Sequence, residues 1–136
     1  MIREIVHDPL LLARKSEKAT EKDLGVVQDL KDTLNANRDR CVGMAANMIG
    51  EMKRIIVIFN GPILMALINP EIMGKKGAYT AEEGCLSLAG TRQANRWQEI
   101  TVRYRDESYR EHVNTFRGFT AQIIQHECDH CEGVLI

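Results

Sequence analysis

Near the C-terminus the chain reads Gln125-His126-Glu127-Cys128-Asp129-His130, which contains His-Glu-x-x-His. On an α-helix, residues four apart lie about 40° apart around the axis and share a face. His126 and His130 can therefore put imidazole nitrogens on one metal ion. Glu127 lies next to the first of them, within reach of a water held there. This is the two-histidine-plus-base arrangement of metal-assisted hydrolysis. The same spacing also arises by chance in helices, so the motif needs further ligands around it.

An ion that keeps a position open for water needs a third protein ligand. Cys128 falls about 200° around the helix from His126, and Cys131 about 100° from His130, so both leave the ligand face. Cys128-x-x-Cys131 also has the spacing of a zinc half-site, which would compete with the histidine pair. Asp129 suits a supporting or surface acid. His7 and His112 are isolated and read as surface or structural residues. Cys85 is the best candidate, because the small residues around it permit a tight turn beside another element.

These residues must be positioned by the rest of the chain. Phe119, Ile123, Ile124 and Glu127 recur at helical spacing, with Gly118 before them and Gly133 placed to stop the helix. Asp8-Pro9 marks a turn, and Leu10, Leu11 and Leu12 are expected to pin the N-terminal arm. Thr20 with Asp23 predicts a capped helix start, with Leu24, Val27, Leu30 and Leu34 as the apolar stripe and a polar loop from Asn35 to Arg40. Cys41 to Gly50 is rich in small residues that permit close backbone approach, to a neighbouring element or to a ligand. Its glycine spacing excludes a dinucleotide or phosphate fingerprint.

Arg54 to Phe59 and Ile63 to Asn69 read as an antiparallel strand pair around Asn60-Gly61-Pro62. Asn69-Pro70 is expected to break the second run. Glu71 to Glu82 reads as extended, with a turn at Gly74-Lys75-Lys76-Gly77. Gln98 to Arg105 alternates as a strand, with Ile100, Val102 and Tyr104 on one face. Asp106-Glu107-Ser108 turns, and Tyr109 to Phe116 returns. The reading is α+β, with antiparallel β-sheets packed around a C-terminal metal-binding helix and an N-terminal helix. Residues 1–136 form a single domain in this reading.

Hydrophobic residues make up 44% of the chain and charged residues 27%, the balance of a soluble globular protein. A net charge of -1 gives no sign of direct nucleic-acid binding or of an anionic membrane surface. No apolar run approaches a membrane span, and residues 1–7 lack the apolar core of a signal peptide. Cytoplasmic residence is the expectation, with the four cysteines as thiols or ligands.

Three separated stretches resemble the motifs of peptide deformylases, hydrolases that remove the N-formyl group from nascent proteins. Glu83-Gly84-Cys85-Leu86-Ser87 matches that family's Glu-Gly-Cys-Leu-Ser. Gln125 to His130 with Gly133 matches its Gln-His-Glu-x-Asp-His-x-x-Gly. Cys41 to Gly50 resembles its Gly-x-Gly-x-Ala-Ala-x-Gln stretch. The resemblance implies a divalent metal on Cys85, His126 and His130, with Glu127 as general base. It implies Fe2+ or Zn2+, with Ni2+ or Co2+ as substitutes. It implies that the Leu86 amide helps hold the formyl oxygen, and that Val42, Gly43, Leu86 and Arg92 line a peptide groove. Glu83, Phe119 and Ile123 would lie near the pocket for the methionine side chain. The implied partners are N-formyl-methionyl peptides or nascent chains, close to the ribosome, with no membrane.

The first motif departs from the pattern. Cys41 stands for its first glycine and Met48 for its glutamine, whose amide would donate to the formyl oxygen. Met48 has no N–H to give, and Asn47 is a possible stand-in one residue out of place. The chain also ends without the longer C-terminal extension of many members. Two alternatives follow. One is a His-Glu-x-x-His protease, which would need a further ligand downstream. The other is a deformylase-like protein that acts on another N-acylated amine, or only binds peptide.

Overall fold

A computed structural model describes residues 1–136. Helix α1, Pro9–Leu12, closes the N-terminal arm. Of the three leucines there only Leu12 is fully buried; Leu10 is exposed, so one side chain rather than three pins the arm. Thr20 and Asp23 cap each other's backbone as expected, over a short 3-10 turn, Glu21–Asp23. Helix α2, Leu24–Ala36, follows and buries Val27, Leu30 and Leu34, with Leu24 partly buried against the core.

Five strands form one antiparallel sheet in sequence order. They are β1 Gly43–Ala45, β2 Ile55–Asn60, β3 Ile63–Gly84, β4 Thr91–Arg105 and β5 Glu111–Arg117. The β2–β3 hairpin pairs Ile55 with Ile68 and Asn60 with Ile63, around the expected turn. Strand β1 was not foreseen: three residues including glycine and alanine carry no strand signal of their own, and pairing with Ile56 to Ile58 makes them extended.

Strand β3 corrects two expectations. It runs through Asn69-Pro70 and through Gly74 to Gly77 without ending. Pro70 has no N–H for the ladder, and Asn69 adopts a φ of 51°. The register slips there, from Ile68 opposite Arg105 to Glu71 opposite Arg103, and again between Ile72 and Gly74. Bulges thus absorb the breaker residues that would have ended an isolated strand. The freed Asn69 side chain bonds both backbone groups of Ala19, at 2.8 and 2.9 Å, and so fastens the N-terminal segment to the sheet.

Helix α3, Gly118–Cys131, packs on β1, β2 and β4. Its Ile124 and Cys131 are fully buried. Ile100, Val102 and Tyr104 of β4 share the buried face, as their alternation predicts. No helix is long and apolar enough to cross a membrane.

Candidate metal centre and active site

Helix α3 ends where its glycine stops it. Gly133 has a φ of 76°, its N–H donates to the His130 carbonyl, and Val134 N–H donates to the Asp129 carbonyl. The glycine is also required by space: a Cβ would lie 2.4 Å from the Ala13 carbonyl oxygen. Upstream of this stop, His126 and His130 present Nε2 atoms 3.2 Å apart on one face. Cys85, just past the end of β3, brings Sγ to 3.3 Å from His130 Nε2. The three donor atoms all lie within 4.8 Å of one another, and no other trio of His, Cys, Asp or Glu side chains converges so.

That convergence fits a metal. Ligands at about 2.0–2.3 Å around a tetrahedral ion stand roughly 3.3–3.6 Å apart. Cys128 and Cys131 are buried in the core and do not join the cluster.

Behind the histidines lies a buried ionic chain. His126 Nδ1 donates to Glu83 Oε1 at 2.8 Å. Arg96 grips the same carboxylate with two bonds, at 2.7 and 2.9 Å, and reaches Asp129 at 2.8 Å. Gln122 adds a fourth donor to Glu83 at 2.9 Å. Glu83 is thus engaged in holding His126 and Arg96, a task beyond the pocket role expected of it. Burial alone would raise its carboxyl, but His126 and Arg96 bring it down to about 2. Arg96 was not foreseen; no local pattern marks an arginine that pairs across β3 and β4. Gln125 closes a two-bond clasp on the Trp97 backbone, at 2.8 and 2.9 Å, which fixes α3 against β4.

Burial opposes charge on both rings, yet only one can escape it. At His126 ring N–H bonds to the Cys85 sulfur and to Glu83 overcome burial and raise the ring to about 10. At His130 burial and the neighbouring His126 charge lower it to about 3. A 3.2 Å contact between two nitrogens has room for one proton. Glu127 is pushed up to about 7, by burial first, and its Oε1 has no protein partner.

His126 and Glu127 open on a cavity of about 540 Å³. Cys85, Leu86, Gly43, Val42, Ile123 and Phe119 all line it, with Phe119 and Val42 exposed at its rim. Gly43 is glycine for a reason visible in α3: a Cβ would lie 2.6 Å from Ile123 Cγ2 and 2.9 Å from Glu127 Oε2. Arg92 does not join the wall; its guanidinium contacts the Ala89 carbonyl at 3.4 Å. Met48 lines the cavity where the family pattern has its glutamine. Asn47 is no stand-in, because its Nδ2 is committed to the His130 carbonyl at 3.0 Å. His112 pairs with Asp106 at 2.7 Å and stacks on Tyr104, a structural place.

Two histidines on one face of α3, a cysteine brought to them from the end of β3, and a carboxylate beside them at a cavity define a metal-dependent hydrolase of α+β build. The comparisons give the class its family. The polypeptide deformylase family model matches residues 2–136. A peptide deformylase of Clostridium beijerinckii is 52% identical over 136 residues, covering 100% of both chains. The crystal structure of peptide deformylase from Thermotoga maritima superposes with a TM-score of 0.89 at 30% identity, covering 99% of this chain and 95% of that one. The Legionella pneumophila deformylase structure gives 0.89 at 32% identity, over 99% and 83%. This chain belongs to the polypeptide deformylase family.

Proposed function

We propose that the chain removes the N-formyl group from formyl-methionine at the start of nascent polypeptides, through one divalent ion on Cys85, His126 and His130. The observation that carries this is the convergence of those three donor atoms, two of whose residues, Cys85 and His126, line one cavity with Glu127. A thiolate with two imidazoles accepts Fe2+ or Zn2+, and Ni2+ or Co2+ can substitute; the family resemblance favours ferrous iron. Such an ion acts as a Lewis acid that brings the pKa of a water toward ~7.

The chain's own residues do the rest. Glu127 takes the proton as the water attacks the formyl carbon, then delivers it to the departing amine nitrogen. Its unpartnered Oε1 is free for that exchange. The Leu86 backbone N–H supplies a donor for the formyl oxygen. Val42 and Gly43 line the peptide path, and Ile123 and Phe119 offer apolar surface to the methionine side chain. Met48 leaves the oxyanion one donor short, so the activity is attenuated by on the order of 100-fold. A nascent-chain substrate puts this work in the cytoplasm, close to the ribosome.

The test is formate release from a formyl-methionyl tripeptide, using protein loaded anaerobically with Fe2+. The wild type should turn over measurably. Glu127→Gln should keep its metal and lose about 100-fold or more in kcat. A loaded protein that releases no formate would overturn the reading. Met48 in the cavity would then favour the second one: a groove for another N-acylated amine, or for peptide binding alone.

A further inference from the structure

His7 stands on the exposed N-terminal arm, yet its Nδ1 lies 2.9 Å from the Ser87 carbonyl oxygen. A carbonyl only accepts, so Nδ1 carries the proton and donates. The N–H of that same Ser87 points to Cys85 Sγ at 3.4 Å. Ser87 is therefore held at both of its backbone groups, by His7 on one and by the cysteine sulfur on the other.

The surroundings make this contact matter. The β3–β4 ladder closes at Gly84 opposite Thr91. Residues 85–90, which carry Cys85, make no backbone–backbone hydrogen bond. The Ser87 hydroxyl is buried without a partner, so its side chain provides no tether. Outside the turn itself, two side chains hold its backbone: His7 on Ser87 and Arg92 on Ala89, the second at a long 3.4 Å. One residue before His7, the Val6 N–H donates to the Met48 carbonyl at 2.8 Å. Consecutive residues of the arm thus brace two walls of the cavity, the Met48 turn and the Cys85 turn.

We propose that His7 is a positioning residue for the metal site, acting through Ser87 to hold the Cys85 sulfur where His126 and His130 converge. The proposal rests on Cys85 being a ligand. A preformed ligand turn keeps the metal longer, because release requires Sγ to swing away, and the His7 bond opposes that swing.

The experiment follows metal transfer from loaded protein to an excess of a coloured chelator, and alkylation of Cys85 in metal-free protein by mass spectrometry. His7→Ala should speed metal release by about tenfold and speed Cys85 alkylation, with thermal unfolding close to wild type. His7→Asn, whose Nδ2 can donate from near the Nδ1 position, should recover most of both losses. His7→Phe keeps a ring without the donor and should behave like Ala; it serves if the Ala variant does not fold. Release and alkylation unchanged in folded His7→Ala, or His7→Phe matching His7→Asn, would overturn the proposal. Cys85→Ser is measured alongside. If it binds metal like wild type, the ligand reading itself has failed, and the proposal falls with it.

Discussion

Glu83 and His126 share a buried 2.8 Å hydrogen bond, although 43 residues separate them. The carboxylate orients the ring, so that Nδ1–H faces Glu83 and Nε2 faces His130, the direction the proposed ion requires. It also compensates Arg96, which is only 4% exposed. Glu83→Gln keeps an acceptor for Nδ1 but loses the charge. Metal affinity should fall by roughly 10- to 100-fold. Glu83→Ala should also destabilise the fold by up to about 3 kcal/mol, because the buried Arg96 guanidinium loses two of its bonds and keeps Asp129 as its remaining carboxylate. Competition against a chelator and denaturant unfolding read the two effects. Unchanged metal affinity in Glu83→Gln would count against the positioning role.

Gly43 and Glu127 meet where β1 passes under α3. A Cβ on Gly43 would sit 2.6 Å from Ile123 Cγ2, and that branched side chain is stiff. Glu127 Oε2, at 2.9 Å, would be displaced as well. Gly43→Ala should cost about 1–3 kcal/mol in stability through overpacking. It should lower kcat by on the order of 10- to 100-fold, since small misplacements of Glu127, the proposed base, are expensive. Metal content should stay near one per chain. A variant with full kcat would show that Glu127 tolerates movement.

The range of each interaction decides how much of the fold and site the sequence carries on its face. The histidine pair and its glycine stop are local helix chemistry, readable from spacing. Cys85 reaches the two histidines only through the fold, and its small neighbours give a weak hint that the family resemblance sharpens. Asn69-Pro70 and Gly74 to Gly77 read as breakers because local preference is all a short window contains; pairing with β4 overrides it through bulges. Arg96, Glu83 and His7 act across 13, 43 and 80 residues of chain. No periodicity records such contacts. Gly43 and Gly133 were visible as glycines, but the atoms that exclude a Cβ come from α3 and from the N-terminal arm.

The cysteines separate the two metal sites that spacing allowed. Cys85 Sγ lies 3.3 Å from His130 Nε2, whereas Cys131 is fully buried in the core. Cys85→Ser should reduce bound metal by about tenfold or more at a fixed chelator concentration, since a neutral hydroxyl replaces a thiolate. Cys131→Ser should cost some stability by burying a hydroxyl, yet leave the metal content of folded protein unchanged. Elemental analysis of both variants decides the matter. Equal loss from both would revive a Cys128/Cys131 site.

Met48 marks where the chemistry of this chain parts from its family pattern. It is 1% exposed, lines the cavity, and offers no hydrogen to an oxyanion. Met48→Gln keeps an unbranched side chain of similar length and adds the missing donor. Charge on the formyl oxygen develops in the transition state, so the gain should appear in kcat rather than KM. A well-placed donor is worth roughly 2.7–4 kcal/mol. The realised gain should be smaller, because the turn is tuned to methionine: Asn47 anchors it to His130, and Cys41 bonds the Gly43 carbonyl at 2.9 Å. A rise of at least about tenfold, or ~1.4 kcal/mol, on a formyl-methionyl peptide is the expected result. If kcat stays flat while folding and metal content are intact, the oxygen is held without this donor, and Met48 belongs to a groove shaped for a different acyl group.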